Sequence, residues 1–439
     1  MCVDDTAASG CLCKVTLDKI SARPLKKLQI FRRERAALTQ GKTIEKLGVW
    51  SEDGLIGLLA KLNPIKSVDD PELFTKNLKF EGVPVRVYQP RESSAGGRKG
   101  VMFFHGGGFK CSDLLVPYNA QISWFLAVLR SDGPPQCSDL LVPDNAQISC
   151  FLAVLRSDGP PQCSDLLVPY NAQISWFLAV LRYRLAPEHL YPAAFEDCLN
   201  ATIYFLKTAQ DYGVNPSSVV ICGDSAGGNL TAGVAQALVT RKDIPKPLAQ
   251  VLIYPVVQMI DFNLPSYQQN SGVPLLLIDK ALFYMLNYLG EGVQTTLHKK
   301  VQNGSHVPPD LRKKFSKWLS ADNIPDEFKV TGYKPHTMSA FDKNVYEKVK
   351  QLFEPPCSPL VAEDSVFRLL PKAYILTCEF DVLRDEGILY KKRLEDNGVS
   401  VTWHHIKDGF HGIISFCDQW DCESGKRAVD SFVSFIRDA

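Results

Sequence analysis

Residues 219–230 read Val219-Val220-Ile221-Cys222-Gly223-Asp224-Ser225-Ala226-Gly227-Gly228-Asn229-Leu230. An apolar, β-branched run enters this stretch, a Gly-x-Ser-x-Gly turn lies in its middle, and a run of small residues able to form a helix follows it. Strand, sharp turn and helix in this order are the context of a nucleophile elbow. Gly223 and Gly227 flank Ser225 because a side chain at either position would collide with a neighbouring strand or helix in so tight a turn. The stretch therefore predicts a serine hydroxyl raised above a sheet.

A second glycine motif follows a predicted strand upstream of the elbow. Val101–Phe104 is an apolar run typical of a buried strand, and the motif at 105–108, His-Gly-Gly-Gly, comes directly after it. Glycines at that place let the backbone approach a substrate closely and present N–H groups to it, as in an oxyanion hole. We therefore predict that the N–H groups of Gly106, Gly107 and Ala226 form an oxyanion hole. A flexible strand-end loop is the alternative, and the serine downstream argues against it.

Acidic and histidine motifs follow two further predicted strands. Ala373–Thr377 is an apolar run, and Asp381 lies in the segment that follows it. Val399–His404 is predicted to be the last strand, and the loop after it carries His411. Because parallel strands present functional groups at their carboxyl ends, we expect both side chains to reach the serine.

The chain order of these residues, a serine followed by an acid and then a histidine, is the order found in α/β-hydrolases. His411 is predicted to take the proton of the Ser225 hydroxyl, which is a poor nucleophile without a base. Asp381 is predicted to hold the imidazole in the required tautomer and to stabilise the imidazolium. Asp224, which is locked into the elbow, is better explained as a local hydrogen-bond partner. Two other acids are alternatives to Asp381: Glu379 and Asp385.

Length and composition exclude several classes of protein. The 439 residues are 45% hydrophobic and 22% charged, which is an ordinary globular composition. The formal net charge of +1 gives no reason to expect a nucleic-acid partner. No window of about 18 uncharged apolar residues predicts a transmembrane helix, and the N-terminus lacks the layout of a signal peptide. Although there are 13 cysteines, neither a histidine nor a second pair completes a metal site around Cys11 and Cys13, so no metal is predicted.

A 26-residue repeat lies between the glycine motif and the elbow. Its first copy starts at Cys111, its second copy starts at Cys137 with two changes, and residues 163–182 repeat the first 20 residues unchanged. A solenoid tolerates divergence between its stacked units, so this near-identity indicates a recent tandem duplication or an error in the gene model. We predict unequal use of the copies: one forms a helix, Phe177–Arg184 forms a strand, and one is surplus surface structure.

The pattern along the chain predicts a core interrupted by helical segments. Residues 1–77 carry apolar positions at helical spacing and are predicted to be an N-terminal helical segment that contributes to a cap. Residues 78–260 and 371–439 are predicted to be the two parts of an α/β core, with the repeat of 111–182 inside the first part. Residues 261–370 show no alternation of strands and helices, and they are predicted to form a helical lid insertion.

Five motifs together resemble those of the hormone-sensitive-lipase-type serine hydrolases: HGGG at 105–108, YRLAPEH at 183–189, GDSAGG at 223–228, DVLRDEG at 381–387 and DGFHG at 408–412. The segments at 62–67 and 403–411 make the sequence most similar to the arylacetamide deacetylase-like branch. The resemblance covers about residues 45 to 437, apart from the repeat.

This resemblance implies an α/β-hydrolase fold with a mostly parallel central sheet, helices on both faces and a helical cap. It implies a serine carboxylesterase or deacetylase without cofactor, which cleaves small lipophilic esters or acetamides through an acyl-enzyme on Ser225. Members of that branch usually carry an N-terminal membrane anchor and face the lumen of the endoplasmic reticulum. Residues 1–45 contain no readable anchor, so the compartment is left open. The N-terminal helices and the lid are the expected places for any peripheral membrane contact.

A hydrolase-fold protein that binds a ligand without turning it over is the alternative function. Some receptors resemble this family but lack the histidine, whereas His411 is present here and favours an enzyme. The repeat supports the alternative because it lies inside the predicted core, where a distorted glycine loop would impair catalysis.

Overall fold

One eight-stranded sheet runs through the part of the chain that the structure describes. The structure is a computed structural model, and it describes residues 73–91, 97–110, 176–273, 276–290, 295–330, 332–416 and 422–439. The strands are β1 Leu73–Phe80, β2 Val83–Pro90, β3 Arg98–Phe104, β4 Trp176–Leu181, β5 Val214–Asp224, β6 Ala249–Ile253, β7 Lys372–Phe380 and β8 Val401–Phe410. Their order across the sheet is β1-β2-β4-β3-β5-β6-β7-β8.

Strands β3 to β8 form a parallel unit, and β1 and β2 extend one edge of it in antiparallel orientation. The central strands are covered on both faces, which is why their sequences are continuous apolar runs rather than alternating ones. Along β5, Val219 and Ile221 pack into the core on one face, whereas Val220 and Cys222 pack into the core on the other. This arrangement confirms the predicted α/β class with a mostly parallel sheet.

Helices cover both faces of this sheet. They are α1 Ala193–Thr208, α2 Ala226–Leu238, α3 Pro265–Gln269, α4 Ile278–Tyr288, α5 Thr295–Gln302, α6 Pro309–Leu319, α7 Lys343–Val349, α8 Asp364–Phe367, α9 Arg384–Asp396 and α10 Glu423–Asp438. Helix α10 packs Val429 and Phe432 into the core on one face, while α1, α2 and α9 contribute to the core on the other. None of the helices described is both long enough and apolar enough to cross a bilayer.

Between β6 and β7, the described residues form six α-helices and no strand. Helix α4 lies over the glycine motif, because a Cβ atom placed on Gly108 would meet the Tyr284 side chain. Helix α6 is tied to α9 by Arg393, whose guanidinium lies 3.5 Å from the ring centroid of Trp318. The contact with Gly108 seats α4 over the carboxyl end of β3, where parallel strands place their functional loops.

The edge of the sheet corrects one predicted boundary. Residues 73–77, predicted as the end of a helical segment, belong to β1, which pairs with β2 across a turn at Glu81 and Gly82. Only Leu73 and Phe74 of these five residues are apolar, which gives no helical spacing, so pairing with β2 decides their structure. Residues 1–72 of the predicted segment lie outside the described residues.

The end of the repeat supplies a core strand. Trp176–Leu181, from the third copy, forms β4, which is buried throughout and lies between β2 and β3. This agrees with the strand predicted at Phe177–Arg184. The predicted helix and the surplus copy lie in residues 111–175, outside the described part.

Candidate active site

The elbow is a turn between β5 and α2 that leaves Ser225 as its only connecting residue. Ser225 has φ 53° and ψ −117°, a backbone conformation that is strained for a residue with a side chain. A Cβ on Gly227 would lie 1.9 Å from the carbonyl oxygen of Phe104, and one on Gly223 would lie 2.3 Å from the carbonyl oxygen of Gly227. Both flanking glycines are therefore required by close packing, which is the reason predicted from the motif.

A chain of hydrogen bonds runs from Ser225 to a buried carboxylate. Ser225 Oγ lies 2.9 Å from His411 Nε2, and His411 Nδ1 lies 2.8 Å from Asp381 Oδ2. The other carboxylate oxygen of Asp381 accepts the N–H of Leu383 at 2.9 Å, and Asp381 is 1% exposed. An ionised carboxylate can only accept, so Nδ1 carries the proton and Nε2 is left to accept from the serine hydroxyl.

The ends of β7 and β8 bring the acid and the histidine together. Cys378 pairs with Ile406 and Phe380 with Phe410, so a bulge lies in β8, and Asp381 and His411 directly follow the two strands. Strand β8 extends to Phe410, so the predicted end of the last strand at His404 is wrong. Phe410 is buried and pairs with β7 beyond the bulge. Side chains that leave two neighbouring parallel strands at the same level meet, as they do here.

The first glycine of the loop after β3 is fixed to the elbow. Gly106 donates its N–H to Asp224 Oδ1 at 2.8 Å, so Asp224 acts as a hydrogen-bond partner, as predicted, but its partner is distant in sequence rather than local. Tyr183 donates its hydroxyl to the carbonyl oxygen of His105 at 2.6 Å, and the two rings stack with centroids 4.2 Å apart. Burial raises the pKa of Asp224 to about 6, and the Gly106 N–H opposes that rise. The Gly106 N–H is thus committed to Asp224, which removes Gly106 from the predicted set of oxyanion donors.

The other two glycines of the motif face the serine. Gly107, Gly108 and Ala226 line one cavity together with Ser225. Gly107 has φ 101° and Gly108 has φ 64°, conformations that a residue with a side chain rarely adopts. A Cβ on Gly108 would lie 2.4 Å from Cγ of Tyr284 on α4. Gly108 is therefore a site residue that the sequence analysis did not assign, although it belongs to the same motif.

The cavity that contains the serine has a volume of about 200 Å³. Tyr254 and His411 form part of its wall, with ring centroids 4.8 Å apart. Most of the remaining wall is apolar and comes from the helical segment and the strand ends: Phe109, Val256, Leu276, Ala281, Met285 and Leu383. Such a wall suits the apolar part of a ligand, with polar groups limited to the reacting end.

The alternative acids are held away from the histidine by an arginine. Arg384, 1% exposed in its side chain, donates to Glu379 at 3.1 Å and to Asp385 at 2.9 Å. Burial favours the neutral form of Glu379, but His405 at 3.0 Å and Arg384 hold the pKa of this carboxyl below its usual range. Asp381 is the acid that contacts His411. Across the described ranges, no three His, Cys, Asp or Glu side chains are grouped as metal ligands would be.

A lid residue that no motif marks also supports the acid. Asn270, just after α3, donates its side-chain amide to the carbonyl oxygens of Asp381 at 2.9 Å and Glu379 at 3.0 Å. Its role depends on how the helical segment packs on β7, so local sequence gives no signal for it. Tyr183 could have been assigned earlier, because it opens the YRLAPEH motif.

Comparison with known proteins places this chain in a family. A family model described as the α/β hydrolase fold matches residues 170–313 and 320–415. Human arylacetamide deacetylase-like 4 is 39% identical to this chain, over 91% of the chain and 86% of the human protein. The chain belongs to the arylacetamide deacetylase-like family of α/β-hydrolases.

Two more distant comparisons agree with that placement. Rat neutral cholesterol ester hydrolase 1 is 32% identical to this deacetylase-like hydrolase, over 83% of the chain and 80% of the rat protein. Carboxyl esterase 2 of the mycorrhizal fungus Tuber melanosporum shares the fold, with a TM-score of 0.54 at 18% identity, over 85% of this chain and 89% of its own. The predicted family, the α/β-hydrolase fold and the class of carboxylesterases and deacetylases are confirmed.

Proposed function

We propose that this deacetylase-like hydrolase cleaves carboxylic esters or acetamides of lipophilic substrates through an acyl-enzyme on Ser225. The observation that carries the proposal is the hydrogen-bond chain from Ser225 through His411 to Asp381, with links of 2.9 and 2.8 Å. Those are the distances expected between a nucleophile, its base and the group that orients the base.

In the first half of the proposed reaction, Ser225 Oγ attacks the substrate carbonyl carbon while His411 Nε2 takes the hydroxyl proton. Asp381 accepts from Nδ1 throughout and stabilises the imidazolium that forms. The carbonyl oxygen becomes an oxyanion, for which we propose the N–H groups of Gly107, Gly108 and Ala226 as donors. Collapse of this intermediate breaks the bond to the leaving alcohol or amine, which takes the proton from His411.

In the second half, water attacks the acyl carbon and His411 takes one of its protons. The second tetrahedral intermediate uses the same N–H donors, and its collapse breaks the bond between the acyl carbon and Ser225 Oγ. The serine oxygen recovers a proton from His411, and the carboxylic acid leaves. These steps use only side chains, backbone N–H groups and water.

Two observations support a lipophilic substrate. The cavity wall around Ser225 is largely apolar, with Val256, Met285 and Leu383 among its members. Burial of apolar ligand surface against such side chains contributes roughly 25 cal/mol per Å². The names of the relatives refer to arylacetamides and to cholesterol esters, which are lipophilic amides and esters.

Labelling by a fluorophosphonate tests the proposal on the purified full-length chain. We expect a single adduct that maps to Ser225, together with hydrolysis of p-nitrophenyl esters of graded chain length and of an arylacetamide. Ser225→Ala should abolish both the labelling and the hydrolysis. Ser415, which also lines the cavity, provides the matched control, because Ser415→Ala should still be labelled at Ser225. A wild-type protein that binds ester analogues but never reacts at Ser225 would refute the proposal and leave a ligand-binding protein.

A further inference from the structure

One residue of the cavity wall combines a strained backbone with a contact to the proposed base. Tyr254, directly after β6, has φ 35°, in the left-handed region that residues with a side chain rarely adopt. It is 1% exposed, and its ring lies against His411, with centroids 4.8 Å apart and the two ring planes at 57°. Strained residues of this kind cluster at active sites. The strain at Tyr254 therefore indicates a role for its ring in the site.

Contacts on both sides hold the backbone of Tyr254 in this conformation. Its N–H donates to the carbonyl oxygen of Leu376 on β7 at 2.8 Å, and the carbonyl oxygen of the residue before it accepts the Ser225 N–H at 2.9 Å. A Cβ on Gly228 would lie 2.8 Å from Cβ of Pro255, so α2 packs closely on the residue that follows. The backbone that directs the ring is thereby tied both to the elbow and to the strand that leads to the acid.

The ring supplies a restraint that the hydrogen bonds of the histidine lack. Ser225 and Asp381 hold Nε2 and Nδ1 of His411, which fixes two points of the imidazole but not the plane of its ring. Tilted aromatic rings attract each other at centroid separations of about 4.5–7 Å, so the Tyr254 ring opposes rotation of that plane. The hydroxyl of Tyr254 lies 3.5 Å from Asp224 Oδ2, on the carboxylate that binds the glycine loop.

We propose that Tyr254 is a positioning residue whose ring holds the His411 imidazole where Nε2 can accept the proton of Ser225. Because the same residue lines the cavity, a part in substrate binding is the competing explanation. Loss of positioning slows the reaction of every ester to the same extent, whereas loss of a wall weakens binding in proportion to the apolar surface that the substrate buries. This inference rests on the proposed function, because it assigns a further residue to the same reaction.

The test uses the purified full chain and the p-nitrophenyl esters of acetate, butyrate and octanoate. Tyr254→Leu removes the ring, and kcat and kcat/KM should fall together about 10- to 100-fold for all three esters, because a misplaced base costs rate rather than binding. The rate of fluorophosphonate labelling should fall by a similar factor, since that reaction also needs the base. Tyr254→Phe keeps the ring and should retain kcat within about fivefold of wild type.

Two further variants serve as controls. Tyr346→Leu makes the same chemical change at a half-buried position on α7, outside the described wall of the cavity, and should leave all three rates at wild-type values. Met285→Ala enlarges the wall on α4 and should show the opposite pattern, a loss that grows with acyl chain length and lies mainly in KM.

Three results would overturn the inference. Wild-type kcat in Tyr254→Leu would show that the histidine is held without the ring. A loss that follows acyl chain length and lies in KM would make Tyr254 a wall of the substrate site. Equal falls of kcat in Tyr254→Phe and Tyr254→Leu would assign the effect to the hydroxyl beside Asp224.

Folding of each variant is checked by circular dichroism. If Tyr254→Leu does not fold, Tyr254→Met takes its place in the comparison with Tyr254→Phe, since the flexible methionine side chain fills irregular gaps. Failure of both to fold would assign the ring to packing alone and overturn the inference. A wild type that fluorophosphonate does not label indicates failure of the proposed function, and is thereby distinguished from these results.

Discussion

The backbone N–H of Gly106 donates to Asp224 Oδ1 at 2.8 Å and joins the glycine loop to the elbow. The two residues are brought together because β3 and β5 are adjacent, with Phe104 paired to Gly223. A Cβ on Gly106 would lie 2.6 Å from Asp224 Oδ2, so the contact is too close for a side chain. This bond consequently sets the position of the rest of the loop relative to Ser225.

Asp224→Ala should therefore lower activity by releasing the loop that carries the proposed oxyanion donors Gly107 and Gly108. We expect kcat to fall about 10- to 100-fold, since complete loss of one oxyanion donor costs about 10²–10³. The kcat of Asp224→Asn should fall less, because its amide oxygen can still accept a hydrogen bond from the Gly106 N–H. Steady-state kinetics on a p-nitrophenyl ester, with the rate of fluorophosphonate labelling, measure both effects. Full activity in Asp224→Ala would show that the loop is held by other contacts.

The contact between Gly108 and Tyr284 leads to a prediction about the lid. Gly108→Ala should lower kcat/KM at least about 100-fold, because its Cβ would lie 2.4 Å from Tyr284 Cγ and would push α4 away from the donors. Adding Tyr284→Ala removes that collision and should restore part of the activity. Recovery should be incomplete, since the left-handed backbone at φ 64° still costs about 1–2 kcal/mol for alanine.

A double-mutant cycle measures this coupling. The two single variants and the double variant are compared in kcat/KM for one ester, and the coupling energy is expected to be favourable by about 1–3 kcal/mol. Purely additive losses would show that the lid does not rest on Gly108 in solution.

The residues of the hydrogen-bond chain could be predicted because each lies in a short motif whose local structure is self-contained. Ser225 follows a buried apolar run and sits between glycines, and His411 sits in a loop signature near the end of the last strand. The partner of the Gly106 N–H could not be predicted from the motif. Asp224 is 118 residues away, and only the adjacency of β3 and β5 brings the two residues together.

The end of the last strand shows a similar dependence on tertiary structure. Local sequence favours a loop around Asp408 and Gly409, whereas pairing with β7 resumes after a bulge in β8 and extends the strand to Phe410. At the other edge, β2 pairs with residues 73–77 and overrides the helical interpretation. In both places the deciding contact is made by a neighbouring strand, which periodicity within one segment does not report.

Substitution of the proposed acid distinguishes Asp381 from its neighbours. Asp381→Asn should lower kcat about 10⁴-fold, because an amide favours the wrong imidazole tautomer while keeping the shape of the carboxylate. Glu379→Gln removes a charge two residues away and should cost far less, since Glu379 contacts His405 and Arg384 rather than His411. Kinetics of ester hydrolysis at constant pH test both variants. An equal loss in the two would refute the assignment of Asp381.

The contact of Arg393 with the helical segment predicts an effect on stability. Its guanidinium lies 3.5 Å from the Trp318 ring centroid and 4.1 Å from that of Phe367, and it donates to the carbonyl oxygens of Leu360 and Ala362. Lysine cannot reproduce this planar stacking or the forked donation. We expect Arg393→Lys to lower the free energy of unfolding by about 2–4 kcal/mol, because buried carbonyl groups lose donors.

Urea unfolding followed by tryptophan fluorescence measures that change. Arg368→Lys is the matched control. Arg368 is exposed and directly follows helix α8, so this substitution should change the free energy of unfolding by less than about 0.5 kcal/mol. Equal stability of the two variants would mean that the insertion is not anchored through Arg393.

A buried carboxyl behind the cavity predicts how stability depends on pH. Glu386 accepts hydrogen bonds from the Tyr267 hydroxyl and from the N–H groups of Val257 and Gln258, which directly follow the cavity residue Val256. Burial nonetheless raises its pKa from 4.5 to about 7. The native state then holds this proton at a pH where the unfolded chain has lost it, so Glu386 contributes stability below pH 4.5 that is lost as the pH rises through about 7.

The size of this contribution is about 3 kcal/mol, since each pKa unit corresponds to about 1.4 kcal/mol. Glutamine cannot ionise, so Glu386→Gln should remove this part of the decline in the free energy of unfolding between pH 5 and 7, which urea unfolding at several pH values measures. Glu347→Gln, at an exposed position paired with Lys350, should leave the decline in place. If Glu386→Gln retains the wild-type slope, the donors around the carboxyl keep it ionised when folded, and the raised pKa is refuted.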